Sequence, residues 1–309
     1  MLLQGQTNPE NYFMKEKMNP DCKNNLFLGY FAAIVAAILF GSVSTVAKPA
    51  LSEIHPILLA SLVYFLASLV ATVIPKKPVP ILKKDAGLLI IVAFSGAVIG
   101  PILFFVGLEE SLASDSALLL NGEIVFSVIL AILLFREKLS SLGYLAVALV
   151  VAGVVIVTTN LDMSLSALTF TNKGNLFILA ATLFWALDNN VSKILSTRLD
   201  VARIVQLKSV IGGSVLLLIV FAFEVPIGVT LEHIPNILLL GAAGFGASIF
   251  LFLHGLKRIG TVKTIMIFST SSVFGLLFAA LFLQEQISHL QVIAMGIILL
   301  GIYLLYKRQ

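Results

Sequence analysis

The stretch from Gly107 to Gly153 recurs 148 residues later, from Gly255 to Gly301, so any fold for this chain must use one unit twice. Gly107 aligns with Gly255, Val125 with Val273, Phe126 with Phe274, Ala131 with Ala279, Glu137 with Glu285, Ser140 with Ser288, Ala146 with Ala294, and Gly153 with Gly301. In each copy a short polar insert, carrying Glu137 or Glu285 and then a serine, separates two long apolar runs. A preceding stretch also repeats, at an offset of 145: Gly29 aligns with Gly174, Ala36 with Ala181, Phe40 with Trp185, Val46 with Val191, and Lys48 with Lys193.

The medium for this doubled unit follows from its charge content. Charged residues make up 12% of the 309 and hydrophobic residues 59%. Soluble domains carry about a quarter charged residues, so this chain lacks the polar surface to face water and reads as a multi-pass membrane protein. Its one cysteine, Cys22, excludes an intrachain disulfide and a cysteine metal site. The net charge of +4 does not indicate nucleic acid, because the basic residues sit in short loops, where they set membrane topology.

Ten apolar stretches reach the roughly 20 residues needed to cross a bilayer as helices: 26–47, 56–75, 86–107, 112–134, 141–159, 174–195, 204–223, 235–254, 261–283 and 287–306. Residues 1–25 read as a polar tail, and the apolar run after them is too long for a signal-peptide core. The expected organisation is that tail, a first repeat over 26–160 and a second over 173–306. With the N-terminus inside, the inner loops collect Lys76, Lys77, Lys83, Lys84, Arg136, Lys138, Arg198, Arg203, Lys257 and Arg258. The outer loops hold Glu53, Glu109, Glu110, Asp162, Glu224 and Glu232, with only Lys48 and Lys173 at their edges. That asymmetry places both termini in the cytoplasm and the body in the cell membrane. Five spans per half is odd, so the second half enters from the opposite side. The expected fold is all-α, two inverted five-helix repeats, an arrangement that puts a solute site between the halves near the midplane.

Polar side chains deep in lipid are costly and mark cavities or partners. Glu123 lies mid-span in the fourth helix beside Asn121, with Ser116 and Ser127 expected on its face at i−7 and i+4. It reads either as a carboxyl bonded to a neighbouring helix or as a cavity group that meets solute or carries a proton, and the cavity reading is preferred. The sixth helix holds Trp185, Asp188, Asn189, Asn190, Ser192 and Lys193. Trp185, Asp188 and Ser192 share a face, and Lys193 is within snorkelling reach of the inner surface. In the first helix, Ser44 and Thr45 either line the cavity or bond their own backbone. Pro49 ends or kinks that span, and Lys48 reaches its edge. In the ninth helix, Ser269, Ser271 and Ser272 align with the Glu123 region and are expected to form the opposing wall. Lys208 leaves two readings open, an ion pair with a buried acid or a reach to the cytoplasmic surface. Gly96, Gly100 and the small residues from Gly241 to Ser248 let helices approach closely. Glu137 and Glu285 read as caps of the helices that follow them.

At these residues the chain resembles the drug/metabolite transporter superfamily and, within it, the EamA family. The resemblance rests on Phe135-Arg-Glu-Lys-Leu-Ser140 and Leu283-Gln-Glu-Gln-Ile-Ser288, each followed by a helix with Gly153 or Gly301 near its end. Phe40-Gly41-Ser42, Trp185-Ala186 and Gln206 add to it. Ala146 and Ala294 stand where members often have glycine, and Val63 stands where many carry a basic residue, a place that Lys208 fills in the second half. The resemblance implies alternating access around a cavity of helices 1, 3, 4, 6, 8 and 9, often for export of amino acids or other metabolites. The expected partners are a small polar solute, membrane lipid and a coupling proton or ion; no oligomeric state is implied. No GxxxxGK[ST] loop is present for ATP, and no HExxH or GxSxG motif for an enzyme, and no cofactor is expected. A nucleotide-sugar or phosphorylated-metabolite antiporter of the same fold is the alternative, and a channel is a more distant one.

Overall fold

The computed structural model describes residues 20–74, 82–135, 140–159, 173–259 and 261–306. Among them every regular element is helical. Span 1 is α1 (Pro20–Gly41) and α2 (Val43–Ala50), and span 2 is α3 (Pro56–Val73). Span 3 is α4 (Lys83–Phe94), a π-helical stretch Ser95–Ile99 and α5 (Gly100–Glu110). Span 4 is α6 (Ala113–Leu119) and α7 (Gly122–Phe135), and span 5 is α8 (Ser141–Thr159). The second half follows with α9 (Lys173–Leu195) as span 6 and α10 (Val201–Ala222) as span 7. Span 8 combines α11 (Ile234–Leu238), a π-helical stretch Leu239–Ala247 and α12 (Ser248–Ile259). Span 9 is α13 (Thr261–Ser269) and α14 (Ser271–Phe282), and span 10 is α15 (His289–Tyr306).

Seven of these helical stretches are long and apolar enough to cross a membrane, and Ile267–Phe282 and His289–Leu304 are shorter apolar helices. The remaining one, α9, has 23 residues and owes its lower hydropathy to Asp188-Asn189-Asn190. Leu69, Leu133, Leu218, Phe221 and Phe282 are among many large apolar side chains left exposed, a surface suited to lipid rather than water. The result is an all-α integral membrane fold of ten helices.

The repeat governs packing residue by residue. Spans 5 and 10 pack together, as do 2 and 7, and 4 and 9; span 1 meets span 8 as span 6 meets span 3. Exchanging the halves leaves this pattern unchanged, which is the signature of a two-fold relation, and five spans per unit makes that relation an inversion. Gly153 faces the Ala294 carbonyl and Ile298, while Gly301 faces the Ala146 carbonyl and Val150, the aligned positions. Gly29 abuts Arg258 and Ile259, while Gly174 abuts Glu110 and Ser111. Two polar ties are matched as well. Arg198 Nη1 lies 2.6 Å from Asp85 Oδ1, and at the aligned positions His233 Nε2 lies 3.3 Å from Glu53 Oε2. The π-helical stretch Ser95–Ile99 also falls opposite the end of Leu239–Ala247.

The expected single helix over 112–134 is corrected to two. It breaks at Leu120–Asn121, so Ser116 no longer sits two turns above Glu123, and its hydroxyl pairs with Ser44 at 3.0 Å instead. Span 9 breaks at Thr270 and span 1 at Ser42. The sequence reading of the 1–25 tail lies outside the described residues up to 19, as does Glu137.

The tight glycines give the first prediction. A Cβ on Gly107 would lie 2.6 Å from the Gly174 carbonyl oxygen and 2.9 Å from the Ile178 nitrogen, whereas one on Gly296 meets nothing within 4 Å. Gly107→Ala is expected to cost about 1–3 kcal/mol through overpacking, lowering the thermal midpoint in detergent by several degrees, while Gly296→Ala leaves it in place. Equal midpoints for the two variants would contradict the close α5–α9 contact.

Candidate functional site

Two glycines of span 3, Gly96 and Gly100, create the recess that holds Asp188 and Trp185. A Cβ on Gly96 would collide with the Asp188 carboxylate, and one on Gly100 would lie 2.7 Å from Trp185 Nε1. Gly96 and Gly100, one turn apart, thus admit Asp188 and Trp185, which lie one turn apart on α9. The backbone contributes too: the Gly96 carbonyl, within the π-helical stretch, accepts from Tyr64 Oη at 2.7 Å and from Trp185 Nε1 at 3.1 Å. Such π-stretches free main-chain groups for other uses and are frequent at functional sites.

Asp188 is 3% exposed. Its carboxylate forms an ion pair with Lys208 from span 7, whose side chain is 13% exposed, and accepts the Ser192 hydroxyl at 3.0 Å. Of the two readings of Lys208, pairing with a buried acid is therefore the one the structure adopts. Charge in lipid demands a partner, and spans 6 and 7 supply it within one half. Glu123 from span 4 accepts the Asn189 side-chain amide, and Asp188 and Lys208 are the charged groups whose fields reach it. Asn190 donates to the Ala186 carbonyl at 2.9 Å and the Ser127 carbonyl at 3.3 Å, stitching span 6 to span 4.

One stripe of α9 shows where this polar region leads. Asn175, Ile178, Thr182 and Trp185 follow the helical period and are buried, whereas Asn189 and Lys193, next on the same stripe, are exposed. Burial along this stripe therefore ends between Trp185 and Asn189, on the side that carries Lys193.

The other expected site residues divide. Asp188, Trp185, Asn189 and Glu123 converge as described. Ser44 is buried and bonded to Ser116, Asn121 gives its amide to the Leu118 carbonyl, and Ser272 gives its hydroxyl to the Ser269 carbonyl. Ser269 and Ser272 are buried and Ser271 half-buried. Two edge residues need correction. Lys48 does more than reach the surface: its ammonium donates to the carbonyls of Leu108 (2.8 Å), Glu109 (2.9 Å) and Ser111 (2.6 Å). Glu285 caps span 4 rather than the helix after it, accepting from Ala113 N at 2.8 Å and Ser114 N at 2.9 Å. The helix after it is capped by Ser288 instead, whose Oγ accepts from Gln291 N at 3.1 Å.

Sequence reasoning missed Tyr64 and the trio Asp115, Asn175 and Gln291. Gln291 Nε2 donates to Asp115 Oδ1 at 2.7 Å and to Ser114 Oγ at 3.1 Å, and Asn175 Nδ2 donates to Asp115 Oδ2 at 3.4 Å. Asp115 and Gln291 sit near predicted span ends, where a polar residue is unremarkable, so burial was their only signal. Among the described residues no three His, Cys, Asp or Glu side chains are grouped to hold a metal ion.

A two-fold inverted bundle with buried charge between its halves is the setting for the comparisons with known proteins. The sequence profile of the EamA-like transporter family matches residues 27–159 and again 172–307, one match per repeat. The chain belongs to the EamA-like transporter family. An uncharacterised transporter of Methanothermobacter thermautotrophicus is 32% identical over 294 residues, covering 90% of this chain and 86% of the relative. One from Synechocystis is 23% identical over 321 residues, covering 96% and 93%. A crystal structure with 16% identity superposes with a TM-score of 0.60 over 91% of this chain and 98% of the other, a likeness of fold. EamA-family chains are transporters, and this one is a multi-pass membrane protein of that class.

The Asp188–Lys208 pair yields a direct test. Lys208→Met strands a buried carboxylate and is expected to cost about 3–5 kcal/mol, whereas Lys208→Met with Asp188→Asn recovers most of the loss. Thermal unfolding of the single and double variants in detergent measures both; equal losses would mean the pair is not coupled.

Proposed function

We propose that this EamA-family protein is a secondary transporter that moves a small polar metabolite, such as an amino acid, across the cell membrane by alternating access. Its solute site lies where Glu123, Asn189, Asp188, Trp185 and Lys208 converge, with Ser44, Asn121, Ser269, Ser271 and Ser272 along the facing wall. Both termini are cytoplasmic, so the Lys193 face is the inner one, and the exposure of Asn189 and Lys193 on that side supports loading from the cytoplasm and export.

One observation carries this reading: two carboxylates and an ammonium, each from a different span, meet within lipid depth at an exposed amide. The set is not sealed, because Asn189 is exposed beside Glu123 and Asp188. A solute that satisfies Glu123 and Asn189 binds there, and one that leaves them unpaired is rejected by the cost of the stranded groups. Glu123 is the group that takes up and releases a proton, because Asp188 already has Lys208.

The antiporter alternative for nucleotide sugars or phosphorylated metabolites requires free cations in the cavity. Of the three cations that could serve, Lys48, Lys193 and Lys208, the first is committed to three carbonyls and the last to Asp188, which disfavours it. A channel would conduct without saturation, and saturable counterflow in proteoliposomes excludes that behaviour.

Glu123→Gln is the decisive variant. It is expected to keep solute exchange but lose uphill movement driven by an imposed pH gradient. Gradient-driven uptake that survives at full rate in this variant would remove proton coupling through Glu123.

A further inference from the structure

The corner joining α5 to α6 is held at both helix ends by side chains that come from elsewhere in the chain. Lys48 of span 1 meets the terminal carbonyls of α5, and Glu285, from the connection between spans 9 and 10, meets the first amides of span 4. Each charge matches the partial charge of the helix end it meets. Beneath them Asp115, 6% exposed, is tied to Gln291 of span 10, 4% exposed, and to Asn175 of span 6. One short corner of the first half is thereby fastened to three elements of the second.

We propose that this corner is the external gate, clamped shut by Lys48 and Glu285 with the Asp115–Gln291–Asn175 ties, and that the clamp makes closed-outside the resting state. The side called external rests on the orientation proposed above; the clamp itself does not. The repeat supplies the argument for a bias. Lys193 aligns with Lys48, so the inner corner retains the helix-end lysine. The positions that align with Asp115, Gln291 and Asn175 are Lys263, Gly143 and Tyr30. Glycine offers no side chain there, and Lys263 and Tyr30 are exposed. Each face also carries one tie between the halves, Asp85–Arg198 at 2.6 Å and Glu53–His233 at 3.3 Å. The Asp–Gln–Asn network of the outer corner therefore has no counterpart at those three aligned positions of the inner one. These bonds tie span 1, the α5–α6 corner, span 6 and span 10 together, and an outward opening between those elements has to break them.

The test places a reporter behind the clamp. Ser44→Cys, one turn below Lys48 on a buried face, is introduced with Cys22→Ser into the full chain. Labelling by a membrane-impermeant maleimide is followed in right-side-out and inverted vesicles. Lys48→Met and Gln291→Leu are each expected to raise the labelling rate from the Lys48 face about tenfold, the scale set by losing one charged or buried hydrogen bond; Lys193→Met does not raise it. Unchanged rates in both variants, with thermal midpoints near the parent's, overturn the proposal, as does an equal rise with Lys193→Met. A rise seen only in inverted vesicles keeps the clamp and overturns the orientation. A rise in vesicles whose parent protein exchanges no metabolite keeps the clamp and overturns the transport reading.

Discussion

A carboxylate inside a bilayer must be matched, and the pairing of Asp188 with Lys208 is the constraint around which the middle of this molecule is arranged. The pair needs room, which Gly96 gives by having no side chain. That room sits in a π-helical stretch, whose Gly96 carbonyl is then claimed by Tyr64 and Trp185. Remove any of these and another is left without a partner in a medium that supplies none. Spans 2, 3, 6 and 7 are locked into one register by this chain of mutual need, and Glu123 with Asn189 hangs from its edge.

The two-fold relation makes the chemistry easier to locate. Packing is copied faithfully: Gly96 faces Asp188 as Gly244 faces Val43, the aligned position. Charge is not copied. Asp188, Lys208 and Glu123 align with Val43, Val63 and Ser271. A scaffold under one structural demand keeps its small residues on both sides. A solute, being asymmetric, needs its ionic contacts on one side only. The positions that keep the packing and break the chemistry are those from which the solute site is proposed.

Much of this was legible in the sequence. The repeat, the ten spans and the inversion followed from the offset and from hydropathy, because bilayer thickness leaves few options for long apolar runs. Trp185, Asp188, Asn189 and Glu123 stood out because polarity at that depth is expensive. Gly96 and Gly100 announced close packing, though not what they would admit. Other features were hidden for a physical reason. A helix break at Leu120–Asn121 has no proline to mark it, and tertiary contacts decide where the turn falls. Lys48, Glu285, Asp115 and Gln291 lie near span ends, where a charge is ordinary. Only the assembled fold reveals that all four converge on the corner between α5 and α6.

The matched ion pairs carry one more consequence, through their signs. Asp85 pairs with Arg198 and Glu53 with His233, so the first half supplies the acid both times and the second half the base. Were the first half to dock on a copy of itself in the same antiparallel manner, Glu53 would confront Asp85; two copies of the second would bring Arg198 against His233. Two first halves would thus meet carboxylate to carboxylate, a contact that the joined chain replaces with an acid facing a base at each of the two places.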